Sequence, residues 1–344
     1  MAVQSVYKQT RRAVCTWLIF AAAATAGSAI EQATPALADA VVVQGVKINS
    51  WGYQLINDDP ADIAKSPYDV IVMDYQRDPS AGGPFKPAEV AQMKKKPDGS
   101  RRFVIAYISI GEAENYRYYW GDRTWTDVRN RTPLIAKENP EWPGNLSVHY
   151  WEQEWENIIL NDPDSYINRI MDAGFDGVYL DKIDTSDDYA GKTPAGTESH
   201  DLMMQFVRKI STVTKLRNPN FLTIAQNAEG LLDDDVYRDS IDGIGKESVL
   251  FNEGLFDAKN PFKKPARNDT PSIKETERLL SKLRADGKLV MVVEYIDDQT
   301  LIAKSAEELV ALGYVPYFGP RDLAHLNYAE VKLTTSELEA AKKK

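Results

Sequence analysis

Eight short apolar runs, each bounded by turn residues, recur along the chain with helix-like segments between them, and this alternation limits the fold more than any other feature. The runs cover 50–55, 70–74, 103–109, 177–181, 222–226, 241–247, 289–295 and 314–318. They are rich in β-branched and aromatic residues and nearly continuous in hydrophobicity, as parallel strands buried on both faces should be. Helical patterns fall at 87–95, 162–173, 196–216, 272–286 and 298–312. The second opens on Asp-Pro and is followed by Gly174, while Gly287 and Gly313 follow the last two, the expected asymmetry of helix ends. The longest places Leu202, Phe206, Ile210 and Val213 on one face. Eight strands alternating with helices predict a single α/β domain, a (β/α)8 TIM barrel with loop insertions. The competing open doubly wound sheet lacks its glycine-rich phosphate loop after the first strand.

Charge and composition narrow the partners. Among 344 residues, 51 acidic side chains face 41 basic ones, a net charge of −10, the wrong sign for wrapping nucleic acid. A content of 43% hydrophobic and 27% charged residues is that of a globular chain. Lys8, Arg11 and Arg12 precede an uncharged apolar run at 13–30, and Ala36-Leu37-Ala38 supplies a small-x-small cleavage pattern. This predicts a signal peptide over 1–38 and a secreted or periplasmic protein. A retained membrane anchor is the alternative, and the Arg11-Arg12 pair leaves the export route open between general and twin-arginine secretion. Cleavage would leave 306 residues with net charge −12 and would remove Cys15, the single cysteine. The barrel is then expected over 39–333, with a disordered tail at 334–344. No membrane partner is expected after cleavage, and no cofactor or metal site is predicted. Three histidines and one cysteine make a structural zinc site a poor fit.

The positions of the acids carry the chemistry. Barrel active sites lie at the C-terminal ends of the strands. Asp74, Asp181, Glu247 and Glu294 each close a predicted strand or stand one residue from its end, Glu112 and Glu114 follow the third, and Asn227 and Glu229 follow the fifth. Any one of these acids is commonly a helix cap or an ion-pair partner. Recurrence on several strands is harder to explain that way, because an ionised carboxylate on an apolar strand is costly to desolvate. Clustered carboxylates serve either oxygen-ligated divalent metals or glycoside hydrolysis, in which one acid protonates the leaving oxygen and another is nucleophile or base. Flat aromatic surfaces for sugar rings favour the second chemistry. Tyr107, Tyr179, Tyr317, Trp120 and Trp142 lie near predicted strand ends and the loops after them, while Trp125, Trp151 and Trp155 read as packing. Other catalytic plans fit poorly. There is no Gly-x-Ser-x-Gly elbow, and His149, His200 and His325 do not stand at strand ends beside a Ser or Cys. The acidic runs Asp187-Asp188 and Asp233-Asp234-Asp235 suit helix starts without any ion.

Four strings taken together resemble one family: Tyr107-Ile-Ser-Ile-Gly-Glu-Ala-Glu114, Gly174-Phe-Asp-Gly-Val-Tyr-Leu-Asp-Lys-Ile-Asp184, Ala225-Gln-Asn-Ala-Glu229 and Gly313-Tyr-Val-Pro-Tyr-Phe-Gly-Pro-Arg321. The chain resembles glycoside hydrolase family 114, the endo-α-1,4-polygalactosaminidase-like barrels, over roughly 45–330, and is most similar to their extracellular bacterial and archaeal branch. The resemblance implies a (β/α)8 fold and hydrolysis of α-1,4-linked galactosamine or N-acetylgalactosamine polymers. It places the catalytic acids at the fourth and sixth strand ends, on Asp181 and Glu247. Asp74, Tyr107, Glu112, Tyr179, Asn227, Glu229, Glu294 and Tyr317 are then expected to bind or position the polysaccharide, with Glu294 the rival for the second catalytic acid. Characterised members usually carry Asn after the first acid and Asn before the second. Here Lys182 and Lys246 stand there. A lysine beside Asp181 is expected to lower its pKa and favour it as nucleophile or base, leaving Glu247 as general acid. The alternatives are a non-catalytic carbohydrate-binding barrel and a metal-dependent hydrolase.

Overall fold

Each of the eight apolar runs contains a strand: β1 Trp51–Tyr53, β2 Val70–Met73, β3 Phe103–Ser109, β4 Gly177–Asp181, β5 Leu222–Gln226, β6 Gly243–Glu247, β7 Leu289–Glu294 and β8 Val315–Phe318. They form one parallel sheet in sequence order. The computed structural model describes residues 41–56, 58–77, 83–121, 134–252 and 265–327, all within the unit Ala36–Lys344. The expected signal peptide, the expected tail and Trp125 lie outside the described residues. β8 comes round to β1 without a backbone ladder, and Trp51 Nε1 bridges the gap by donating to the Val315 carbonyl at 2.9 Å. The result is a nearly closed (β/α)8 barrel.

Helices cross over between the strands: α1 Pro60–Lys65, α2 Pro87–Met93, α3 Tyr166–Ala173, α4 Ser199–Arg217, α5 Asp235–Ser240, α6 Thr270–Ala285 and α7 Gln299–Ala311. The short α1 and α5 escaped the periodicity reading because six residues are too few to show it. Local chemistry marks both. Asp59 accepts from Ala61 N ahead of Pro60, and Asp234 caps α5 by accepting from Tyr237 N at 2.8 Å. The helix expected from Asp162 begins later. A π-turn at Asn157–Asn161 comes first, and Ser165 caps α3. The buried face of α4 is also shifted from the expected one. Met203, Phe206, Val207 and Ile210 turn inward, Leu202 is half-buried and Val213 is exposed. Among the described residues no helix is long and apolar enough to cross a membrane. Between β3 and α3 an insertion builds a small antiparallel sheet from Glu112–Glu114, Asn145–Val148 and Ile135–Glu138.

The strand register decides which residues face the barrel axis. Partnered residues of parallel strands point the same way, and side chains alternate along each strand. Trp51 pairs with Val70, Tyr107 with Tyr179, Ile224 with Gly243, Glu247 with Val293, and Val293 with Tyr317. The inward set is therefore odd-numbered on β1, β3, β4, β6, β7 and β8. Trp51, Tyr53, Tyr179 and Tyr317 fill the interior, with centroids 5.3–6.4 Å apart for their contacting pairs, where most barrels use aliphatic layers. Glycine makes room for them. A Cβ on Gly245 would stand 1.9 Å from the Tyr179 hydroxyl and 2.5 Å from its ring.

Candidate active site

The inward positions at the C-terminal ends of β4 and β6 are Asp181 and Glu247, and both line one open cleft of about 1130 Å³. Asp181 Oδ2 accepts from the Tyr107 hydroxyl at 2.6 Å, and its Oδ1 accepts from the backbone N–H of Lys182 at 2.6 Å. The Tyr107 phenol remains a donor because burial, then the charge of Asp181, push its pKa up. Burial raises Asp181 to about 7. Lys182 and the Tyr107 bond pull the other way, and the charges of Asp184 and Glu247 add to the rise.

Lys182 does lower Asp181, as expected, but burial outweighs it, so the carboxyl ends above and not below its ordinary value. Lys182 has a left-handed backbone (φ 63°), and its ammonium is engaged elsewhere, 3.4 Å from Asp184 and 3.7 Å from Glu112. Its attraction on Asp181 is real but smaller than the cost of desolvation.

Glu247 is held at both oxygens. Tyr295 donates its hydroxyl to Oε1, and Asn227 Nδ2 donates to Oε2 at 2.8 Å. Asn227 Oδ1 in turn accepts the Glu247 N–H at 3.0 Å. Asn227, Ala228 and Ser248 all have positive φ, a costly backbone state for residues other than glycine that clusters at functional sites. Both acids thus carry a phenol donor from a neighbouring strand end, Tyr107 on one and Tyr295 on the other.

Asp74 and Glu112 line the same cleft. Arg117 grips Asp74 with two bonds of 2.9 and 2.8 Å and reaches Glu114 at 2.7 Å, so Asp74 is neutralised beneath the surface. Burial nonetheless raises the Asp74 pKa above its ordinary value, against the pull of Arg117. Glu112 accepts from Asn139 Nδ2 at 3.0 Å and is likewise raised by burial. Asp58, also in the cleft wall, has both oxygens buried without a hydrogen bond of normal geometry, although the Asp74 amide lies close. Its pKa is well above the carboxylate range through burial, then through the charge of Asp74.

Four residues expected at the site stand outside the cleft lining. Tyr179 faces the axis but lies deeper, packed against Trp51 and Tyr53. Tyr317 packs on Trp51 and Tyr68 in the same interior. Glu294 occupies an even, outward position on β7. It is wholly buried and accepts the N–H groups of Leu250 and Phe251 at 2.7 and 3.1 Å. Burial pushes it up to about 8 in spite of those bonds, and alternation turns it away from the cleft that Glu247 lines. Glu229 stands behind β6 in an ion pair with Lys246 at 3.3 Å.

Conversely, Arg117, Asp58, Gln226 and Arg321 line the cleft without having been expected, and Tyr295 joins the site as a donor to Glu247. Tyr295 could have been found by period two, since Glu247 and Val293 pair and residue 295 follows on the same face. Arg117 three residues after Glu114 offered a second signal. Trp155 is core, its Nε1 bonded to the Ile110 carbonyl at 2.8 Å, and Trp151 stacks on His149. His200 is exposed beside Asp187. Among the described residues no three His, Cys, Asp or Glu side chains are grouped to hold a metal ion.

A nearly closed parallel barrel with two carboxyls, each held by a phenol, at its C-terminal mouth is the plan of a glycoside hydrolase. Comparison with known proteins agrees, and the protein is a glycosidase. The model of glycoside-hydrolase family GH114 matches residues 31–335, and the chain belongs to that family. An uncharacterised protein of Methanocaldococcus jannaschii is 36% identical over 295 residues, 82% of this chain and 79% of its own length. One from Thermotoga maritima is 32% identical over 285 residues, 80% and 81% of the two chains. Among solved structures, the glycoside hydrolase domain of PelA from Pseudomonas aeruginosa has the same fold, with a TM-score of 0.60 at 17% identity over 81% of this chain and 98% of that domain.

Proposed function

We propose that this protein is a secreted or periplasmic, endo-acting glycosidase that cleaves an α-1,4-linked amino-sugar polysaccharide of the galactosamine or N-acetylgalactosamine type, with Asp181 and Glu247 as the reacting carboxyls. The observation that carries this reading is that these two acids share one cleft and each accepts a hydrogen bond from a neighbouring phenol. The cleft supports the substrate class by its charge. Ten acidic side chains line it against four basic ones, so a polymer bearing free ammonium groups is attracted to it. Its volume of about 1130 Å³ exceeds the usual 300–1,000 Å³ of a small-ligand pocket and leaves room for several sugar units.

The chemistry follows from one proton and one charge. A carboxylic acid donates its proton to the glycosidic oxygen as the bond from that oxygen to C1 breaks. A carboxylate on the other side attacks C1 or takes a proton from the water that does. Burial, with a smaller contribution from the charge of Glu247, raises Asp181 to about 7, so Asp181 still holds a proton just below neutrality, as a general acid must.

Incubating the purified protein with α-1,4-galactosaminan, its N-acetylated form and a glucosamine polymer, and sizing the products, tests the proposal. Short oligomers from a galactosamine polymer are expected. Binding to that polymer with no change in its length would point to the non-catalytic barrel instead.

A further inference from the structure

Resting on that reading, we infer that Lys246 and Glu229, an ion pair on the outer side of the barrel wall, are positioning residues for Glu247. Lys246 and Glu247 are consecutive on β6, so alternation sends one outward and the other into the cleft. The outward ammonium is not idle. It lies 3.3 Å from Glu229 Oε1 and 3.4 Å from Asn227 Oδ1. The Glu247 N–H donates to the same Asn227 oxygen at 3.0 Å. Two donors therefore claim one end of the Asn227 amide, which leaves its NH₂ end facing Glu247 Oε2 at 2.8 Å. A flipped amide would set NH₂ against both an ammonium and a backbone N–H and withdraw the donor from the carboxylate. Asn227 sits at φ 52° with Ala228 at φ 50°, so the backbone here is held in place by such contacts and not by intrinsic preference.

The pair also sets the charge behind the reacting carboxyl. The titratable groups facing Glu247 are Asp181 across the cleft and the phenols of Tyr53, Tyr179 and Tyr295, with the Arg321 guanidinium over the Tyr295 ring. Behind the wall, Lys246 faces Glu229 and, more distantly, Glu294. Lys246 and Glu229 carry opposite charges and are only partly exposed, at 16% and 20%, so solvent screens neither fully. Removing one or the other must move the catalytic pair in opposite directions.

The test compares Lys246→Met, Glu229→Gln and Lys246→Arg with wild type in two readouts. In the kcat/KM profile on partly deacetylated α-1,4-galactosaminan, Lys246→Met is expected to move both limbs up by roughly half a pH unit and Glu229→Gln to move them down by a similar amount. Loss of the fixed amide should cut kcat in Lys246→Met about tenfold with KM within about twofold, and Lys246→Arg should restore most of it. The second readout needs no substrate: ¹³C-carboxyl NMR titration, with the Glu247 signal identified by its loss in Glu247→Gln. Its midpoint should shift with the same opposite signs. A polymer left intact by wild type would sink the proposed substrate, while the NMR titration would still decide the role of the pair. Midpoints that stay put, or that move the same way in Lys246→Met and Glu229→Gln, would overturn the inference.

Discussion

Tyr107 donates its hydroxyl to Asp181 at 2.6 Å from the neighbouring strand, two residues beyond the point where Ile105 pairs with Gly177. This bond opposes the burial that raises Asp181 to about 7. In Tyr107→Phe the opposition is gone, so the carboxyl should hold its proton to higher pH. The basic limb of the rate profile is expected to move upward by about one pH unit, with kcat down about tenfold from the loss of a bond to a charged group. Initial rates across pH 5–9 check both. A basic limb that stays in place would mean that Asp181 does not govern it.

Arg117 is a second point of leverage. Its side chain is almost wholly buried and bonded to both Asp74 and Glu114. Arg117→Met leaves two carboxylates without their cation in a dry environment, and a loss of about 3–5 kcal/mol in stability is expected. Urea unfolding reads it directly. A variant within 1 kcal/mol of wild type would show that the cluster is solvated.

The fit of Tyr179 against Gly245 makes a prediction about the barrel itself. Gly245→Ala forces a methyl group to 2.5 Å from the Tyr179 ring, and overpacking of this kind costs about 1–3 kcal/mol or more. Tyr179→Leu removes the obstacle, so the alanine should cost much less in that background, a coupling that a double-mutant cycle measures. Equal costs in both backgrounds would contradict the packing described.

Stability should fall, not rise, from acid to neutral pH. Glu294 is raised from an ordinary 4.5 to about 8 and Asp181 from 3.8 to about 7, mainly by burial, and Asp58 is raised for the same reason. Groups raised in the folded state bind protons there more tightly than in the unfolded chain. Their contribution is complete below the ordinary carboxylate values and is lost as pH climbs through about 7 and about 8. Calorimetry is expected to show a melting temperature several degrees lower at pH 8.5 than at pH 5.5. A flat or opposite trend would mean that these acids are ionised in the folded protein.

The strand positions were legible because burial on both faces leaves a dense apolar signature. Asp181 and Glu247, which both line the cleft, stood among several acids closing such runs, and only the family resemblance singled out the pair. What stayed hidden is which way each residue faces. Glu294 and Tyr295 are adjacent and both plausible at a strand end, and only the register with β6 shows that the tyrosine turns to Glu247 while the glutamate caps the loop at Leu250 and Phe251. Depth was hidden too. Tyr179 faces inward as expected but lies below the cleft floor, among Trp51 and Tyr53. Lys182 pulls Asp181 down as adjacency suggested, but nothing in the sequence measured the burial that outweighs it. A left-handed backbone turns its ammonium to Asp184 and Glu112. Asp58 gave no warning at all, since Asp58-Asp59-Pro60 reads as a helix start and only Asp59 is the cap.

The most direct measurement is hydrolysis of partly deacetylated α-1,4-galactosaminan by Asp181→Asn and Glu247→Gln, each shown by circular dichroism to remain folded. If these two carboxyls carry the reaction, each variant should lose about 10³-fold or more of the wild-type rate while retaining the ability to bind the polymer. Turnover at the wild-type rate by either folded variant would remove that residue from the mechanism and contradict the account.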